Sequence, residues 1–178
     1  MNAALGAWSN FFVITGSSAG ALTGLTFVVI TLVAGDRNRP AASEVGVGTF
    51  TSPTVVHFSV ALFVSVVLTA PWHVTWQPST VVALGALYGL IYEARVTSRI
   101  LDLTRHGKAY RPQLDDWMRY VVSPLAAYAV LFGGAVALVP ATVTAMFVIA
   151  AGTLGLIFVG IHNAWDVVTY LAISEPRT

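Results

Sequence analysis

The charged residues of this chain are confined to a few short segments, and long stretches between them carry no charge. No Asp, Glu, Lys or Arg occurs in residues 1–35, 45–92 or 120–165. A helix needs about 20 apolar residues to cross the hydrocarbon core of a bilayer. The first stretch is long enough for one such helix, and each of the others is long enough for two. The sequence therefore predicts an all-α integral membrane protein with a bundle of five transmembrane helices.

The composition agrees with this prediction and excludes several functional classes. Hydrophobic residues make up 56% of the chain and charged residues 10%, whereas charged residues are about 25% of a soluble domain. The net charge of +1 gives no broad basic surface, so we expect no binding to nucleic acid. The chain has no cysteine, which excludes disulfides, thiolate metal sites and a cysteine nucleophile. The lipid bilayer is the expected partner.

We place the five spans at about residues 8–34, 54–71, 79–97, 116–138 and 142–171, in a single domain that covers residues 1–178. Glycine, serine and proline mark the breaks between them. Ser52 and Pro53 are expected to start the second span, and Pro124 is expected to kink the fourth because it lacks an N–H. No Lys or Arg precedes Arg37, so we interpret the first span as a retained helix rather than a cleaved signal peptide. Four spans with one re-entrant segment are the alternative.

The basic residues predict the orientation of the bundle. With five spans, residues 36–52, residues 98–115 and the C-terminus lie on one side of the membrane. Cytoplasmic loops are the ones that carry an excess of Lys and Arg. The N-terminus is therefore expected outside and the C-terminus in the cytoplasm, in a multi-pass protein of the plasma (inner) membrane. That side and its adjoining helix ends hold all nine basic residues: Arg37, Arg39, Arg95, Arg99, Arg105, Lys108, Arg111, Arg119 and Arg177.

Glycines recur at a spacing of four in two of the predicted helices. The first helix carries Gly16, Gly20 and Gly24, and the third carries Gly85 and Gly89. This spacing keeps the glycines on one face, where a second helix can approach closely. The stripes indicate glycine-mediated close packing, either within one bundle or, as a glycine zipper, between subunits. We expect a homo-oligomer, with the stripe of the first helix as the first candidate seam.

Ionisable residues inside predicted spans are the strongest functional signal, because they are costly in lipid and mark sites or pathways. Glu93 continues the spacing of Gly85 and Gly89, so it is expected to face packed protein. His162 and Asp166 are one turn apart and share a face. All are expected in the cytoplasmic part of the bundle. The predicted polar cluster consists of Glu93, His162, Asn163, Asp166, His57 and Arg119.

Three interpretations of this cluster stay open. It is a structural polar network, a proton or ion pathway, or a ligand site. As a ligand site it has two forms. His162, Asp166, Glu93 and His57 together provide ligand types for a divalent metal, or His57 and His162 act as the axial ligands of a haem. Without such a site, no cofactor is expected.

No motif of a common enzyme is supported by the sequence. It contains no Walker A loop or GxGxxG turn, and its GxSxG string at residues 16–20 lies inside a predicted transmembrane helix and not at the strand-to-helix turn of a nucleophile elbow, so we assign no catalytic residue and do not expect an enzyme. The pattern favours a homo-oligomeric channel or a small-solute or ion permeation protein. The alternatives are a cofactor- or metal-binding membrane subunit or enzyme, and a structural accessory subunit of a membrane complex.

Overall fold

The computed structural model describes residues 3–35, 42–106 and 117–173, and within these ranges it contains helices and turns but no strand. Each of the five predicted segments overlaps a helical part of the described chain. The segments that carry Arg37, Arg39, Lys108, Arg111 and Arg177 lie outside the described residues. The elements are α1 (Ala3–Gly6), α2 (Ser9–Gly35), α3 (Ala42–Thr69), α4 (Trp76–His106), a π-helical turn (Met118–Val122), α5 (Ser123–Ala137) and α6 (Thr142–Ile173).

Three helical segments of the described chain are long and apolar enough to cross a membrane. They are Ser9–Val29, Met118–Ala137 and Thr142–Asp166, and Pro53–Thr69 is a shorter apolar helix. The outward faces of the bundle also carry large apolar side chains, such as Leu84 and Phe158, which are 61% and 67% exposed. Soluble monomers rarely expose apolar surface on this scale. Helix length and surface together indicate a helical membrane protein.

Four helices form a ring around the core, and α2 lies outside it. Within the ring α3 packs on α4, α4 on α5, α5 on α6, and α6 on α3. The second helix, α2, packs mainly on α3, where the hydroxyl groups of Thr15 and Ser65 are 3.0 Å apart. Fully buried side chains from all four ring helices fill the centre, among them Val64, Ala86, Leu131 and Leu156.

The helix that contains the second predicted span starts earlier than the span itself. We expected the span to begin at Ser52 and Pro53, but α3 begins at Ala42 and contains Pro53 in its interior. Proline removes one hydrogen bond from a helix and disfavours it without always ending it. The apolar part of α3 therefore begins inside a continuous helix.

A π-helical turn precedes the proline of the fourth predicted span. Residues Met118–Val122 form this turn, and Pro124 follows in the first turn of α5. The hydroxyl of Ser123 donates a hydrogen bond of 2.8 Å to the carbonyl of Met118. Since proline provides no N–H, the wider turn and the serine hydroxyl help to satisfy the carbonyl groups before it.

Several glycines lie where helices of this chain come closest. Gly89 of α4 faces the ring of Tyr128 in α5, and a Cβ on Gly152 would lie 2.9 Å from the backbone N of Leu131. On α2, a Cβ on Gly16 would lie 2.9 Å from the Cβ of Ser65. The far end of the same stripe is different, because a Cβ on Gly24 would meet no described atom within 4 Å.

Candidate functional site

The core of the four-helix ring changes from apolar to polar toward one end of the bundle. Each ring helix contributes a buried polar residue there, with His57 from α3, Glu93 from α4, Tyr128 from α5 and Asn163 from α6. Their exposed fractions are 0%, 1%, 0% and 2%. Polar groups at this depth must find partners inside the protein, because water and lipid do not supply them.

Close contacts at glycines show how these residues are aligned along the bundle. The Phe58 ring, next to His57, packs against Gly160, and the Tyr128 ring packs against Gly89. Asn163 follows Gly160 by three residues, which is about one helical turn. The buried polar side chains therefore occupy neighbouring layers of the core, with Asn163 about one turn nearer to the end of α6.

His57 makes the contacts that join three of the four helices. Its Nδ1 is 3.0 Å from the hydroxyl oxygen of Tyr128, within hydrogen-bond distance. Its Nε2 is 3.6 Å from Oε1 of Glu93, which is too long for a hydrogen bond but close enough for charges to interact strongly. The imidazole thus lies between a phenol and a carboxyl group in the buried core.

Several buried polar atoms in this region have no hydrogen-bond partner among the described residues. They are Nε2 of His57, Oε1 of Glu93, Oγ1 of Thr97 and Oδ1 of Asn163. Thr97 lies one turn after Glu93 on α4, on the same face. We call His57, Glu93, Thr97, Tyr128 and Asn163 the core site. Each unpaired buried atom costs about 1–3 kcal/mol of folding free energy, so this site has unused binding capacity.

The other side of the core site is closed by apolar packing. Val64, Ala86 and Leu131 come from three different ring helices and have exposed fractions of 0%. Gly152 of the fourth helix lies directly against the backbone of Leu131. These side chains provide no polar atom for a route toward the turn between α3 and α4, and the buried hydroxyls of Ser65 and Thr153 in this part of the bundle hydrogen-bond carbonyl groups of their own helices. The core site is therefore closed by apolar packing on the side of the turn between α3 and α4.

A second polar group lies nearer to the end of the bundle. The hydroxyl of Tyr120 donates a hydrogen bond of 2.9 Å to Oδ2 of Asp166, and Nε2 of His162 is 3.6 Å from the same oxygen. The side chains of His162 and Asp166 are 44% and 30% exposed. We call His162 and Asp166 the outer pair. Arg119 lies beside Tyr120 in the π-helical turn and is half-buried.

The structure thus distributes the predicted polar cluster over two groups. His57, Glu93 and Asn163 belong to the core site, and His162 and Asp166 form the outer pair. Glu93 makes its ion-pair contact with His57, while the nearby Arg95 and Arg99 are exposed. Sequence reasoning missed Tyr128 and Thr97. Tyr128 lies one turn after Pro124 in an otherwise apolar helix, and that isolated hydroxyl was a usable signal.

The arrangement gives little support to a metal or haem site. In the described ranges, no group of three or more His, Asp or Glu side chains could hold a metal ion. A haem would need two histidines that face one cavity, but His57 is fully buried against Tyr128 and Glu93 while His162 lies at the bundle surface. The phenol, imidazole and carboxyl groups of the core site are chemically able to exchange protons and to hydrogen-bond a small ligand.

The site geometry is the basis for any functional assignment of this chain. Comparisons with protein-family models, with curated proteins and with solved structures found no match.

Proposed function

We propose that the chain is a multi-pass membrane protein that moves an ion or a small solute, with the core site as the inner part of the route. The observation that carries this proposal is the set of unpaired polar atoms on His57, Glu93, Thr97 and Asn163. A purely structural polar network in a core is normally satisfied throughout, because unpaired members cost stability. Buried polar atoms without a protein partner are typical of a site that binds and releases a ligand.

The outer pair supports a route between the core site and one end of the bundle. Asn163 is followed by Asp166 about one turn later on α6, and Tyr120 spans from the π-helical turn to Asp166. Polar side chains thus continue from the buried layer to a partly exposed one. In the proposed five-span topology this end is the cytoplasmic end, because all nine Lys and Arg residues then lie on that side.

The closed apolar layer favours a transporter-like movement over a permanently open pore. Val64, Ala86 and Leu131 are tightly packed, so passage requires a change in helix packing. The π-helical turn at Met118–Val122 is a natural place for such a change, since π-helical turns often occur at functional sites. The hydrogen bond from Tyr120 to Asp166 joins this turn to α6 and would have to break when the turn moves.

We also propose that the protein works as a homo-oligomer. The open far end of the α2 stripe supports this part of the proposal, because Gly24 offers a close-packing position that no described residue of the same chain uses.

The test is a flux assay on purified protein in liposomes. Protons, potassium, sodium and ammonium are supplied as gradients, and uptake is followed with pH-sensitive and ion-sensitive dyes. Glu93→Gln keeps the shape of the side chain and removes its charge, so we expect a loss of most of the flux with a Tm close to that of the parent protein. His162→Ala should share this phenotype, and Asp166→Asn should have the smaller effect because Asp166 is partly hydrated.

A structural role predicts the opposite pattern. If Glu93 served only to hold the helices together, stranding its buried partner would cost about 3–5 kcal/mol, and Glu93→Gln would lower Tm whatever the flux. Ser79→Ala is the matched control, because Ser79 is also buried on α4 but hydrogen-bonds the carbonyl of Ala135 at the opposite end. Unchanged flux and unchanged Tm in all three site variants would refute both roles.

A further inference from the structure

We propose that the core site binds a small monovalent cation that donates hydrogen bonds, for which ammonium is the simplest example. This inference rests on the proposed function and names the class of ligand for the same site. It follows from the types of atom that are left unpaired, from the carboxyl group of Glu93, and from the finding that no three His, Asp or Glu side chains of the described ranges are grouped so that they could hold a metal ion.

The unpaired atoms are mainly hydrogen-bond acceptors. Oε1 of Glu93 is a carboxyl oxygen and Oδ1 of Asn163 is an amide oxygen, and Oγ1 of Thr97 can accept as well as donate. These residues come from two ring helices that do not contact each other extensively, so they approach the core from different sides. A ligand that satisfies them has to donate several hydrogen bonds at once.

His57 adds a fourth acceptor in one of its neutral forms. When Nδ1–H donates to the hydroxyl oxygen of Tyr128, 3.0 Å away, the lone pair of Nε2 is left free. Nε2 then lies beside Oε1 of Glu93 at 3.6 Å, and two acceptors at that distance need a donor between or beside them. An ammonium ion presents four N–H donors and is about as large as a water molecule.

The charge of the site favours a single positive charge. The one ion-pair contact of Glu93 within the described residues is with His57, which is neutral in the form considered above. A buried carboxylate without a counter-charge is strongly unfavourable. A divalent metal would require several carboxylates or histidines around it, and the described ranges contain no such group.

The test measures the thermal stability of the purified full-length protein in lipid nanodiscs. Ammonium chloride is titrated against choline chloride at constant ionic strength, with sodium chloride and potassium chloride titrated in parallel. Ammonium should raise Tm by several degrees and the rise should saturate, because a ligand that binds only the folded state stabilises it. A rise in Tm of equal size with sodium or potassium would contradict the requirement for a hydrogen-bond donor. No rise in Tm with ammonium would contradict binding at the core site.

Variants locate the binding. Asn163→Ala removes one acceptor without touching the carboxyl group and should raise the ammonium concentration at half-effect by about tenfold, while Glu93→Gln should abolish the rise. Thr153→Val is the matched control, because Thr153 is equally buried but its hydroxyl donates to the carbonyl of Ile149 in its own helix. A full rise in Asn163→Ala and Glu93→Gln would show that ammonium binds elsewhere.

The two proposals fail in different ways. Flux of another ion that depends on Glu93, without any effect of ammonium on Tm, would overturn the ligand class and leave the transport function. An ammonium effect that Glu93→Gln abolishes, without flux of any tested ion, would support the binding site and overturn transport.

Discussion

His57 is the residue whose surroundings decide the chemistry of the core site, and Tyr128 is the residue that orients it. The hydroxyl of Tyr128 is the hydrogen-bond partner of Nδ1, so it selects which ring nitrogen faces Glu93. Without that partner the imidazole has no preferred tautomer and leaves one more buried nitrogen unpaired.

Tyr128→Phe tests this role. The change removes one oxygen and should lower the free energy of unfolding by about 1–3 kcal/mol, the cost of an unpaired buried group. It should also reduce flux, because the ring of His57 is no longer held. Tyr88→Phe is the control, since Tyr88 is 59% exposed and loss of its hydroxyl should change neither quantity. Normal stability and flux in Tyr128→Phe would show that the hydrogen bond contributes to neither folding nor transport.

Single residues were only partly predictable from the sequence. Glu93 was expected on a packed face because it continues the spacing of Gly85 and Gly89, and it is indeed 1% exposed. The pairing of Glu93 with His57 was not predictable, since the choice between that histidine and the neighbouring arginines depends on the relative rotation of α3 and α4. Tyr128 was missed because it carries no charge, although its hydroxyl stands out in an apolar helix.

At the scale of helices, the contact between α4 and α5 depends on a glycine. The Tyr128 ring lies where the Cβ of any other residue at position 89 would be. Tyr128 is fully buried, so its ring has no free space to move into.

Gly89→Ala should therefore destabilise the bundle and displace the Tyr128 hydroxyl from His57. Overpacking of this kind costs about 1–3 kcal/mol, which a thermal or denaturant unfolding curve would show, and flux should fall with it. Gly133→Ala is the control on α5, because an added Cβ there would meet no described atom within 4 Å. Equal stability of the two variants would contradict this account of the α4–α5 contact.

The two ends of the α2 stripe separate packing within the chain from packing between chains. Gly16 packs against Ser65 of α3, and a Cβ added to Gly20 would lie 4.0 Å from Cδ1 of Leu62. Gly24→Leu should therefore leave the fold of one chain intact and weaken the homo-oligomer, as measured by native mass spectrometry from lipid. Gly20→Leu is expected to affect assembly as well, with some loss of packing on α3. An unchanged oligomer in Gly24→Leu would exclude this seam.

Helices were more predictable than their ends. Stretches without charge and with glycine or proline at their limits identified α2 and α6 closely, since burial in lipid leaves few alternatives to a helix. The start of α3 was not predictable from Pro53, because a proline inside a helix is tolerated when neighbouring packing compensates. The π-helical turn before Pro124 was expected only as a kink.

At the scale of the whole molecule, the ring of four helices combines a sealed half and a polar half. The sealed half contains close helix contacts, such as Gly152 against the backbone of Leu131. The polar half contains the core site, the outer pair and the π-helical turn. The two ends of the bundle therefore differ, and the function that we propose depends on which half faces the cytoplasm.

Labelling of single cysteines determines that direction, and the absence of native cysteine makes the experiment clean. Cysteines introduced at Asn2 and at Gln77, near the turn between α3 and α4, should react with a membrane-impermeant maleimide added outside intact cells. Cysteines at Lys108 and Thr178 should react only after the membrane is opened, because basic segments stay in the cytoplasm. Labelling of both termini from the same side would contradict an odd number of spans. Labelling at position 108 from outside would show that the polar half faces outward, which is opposite to the proposed orientation of the route.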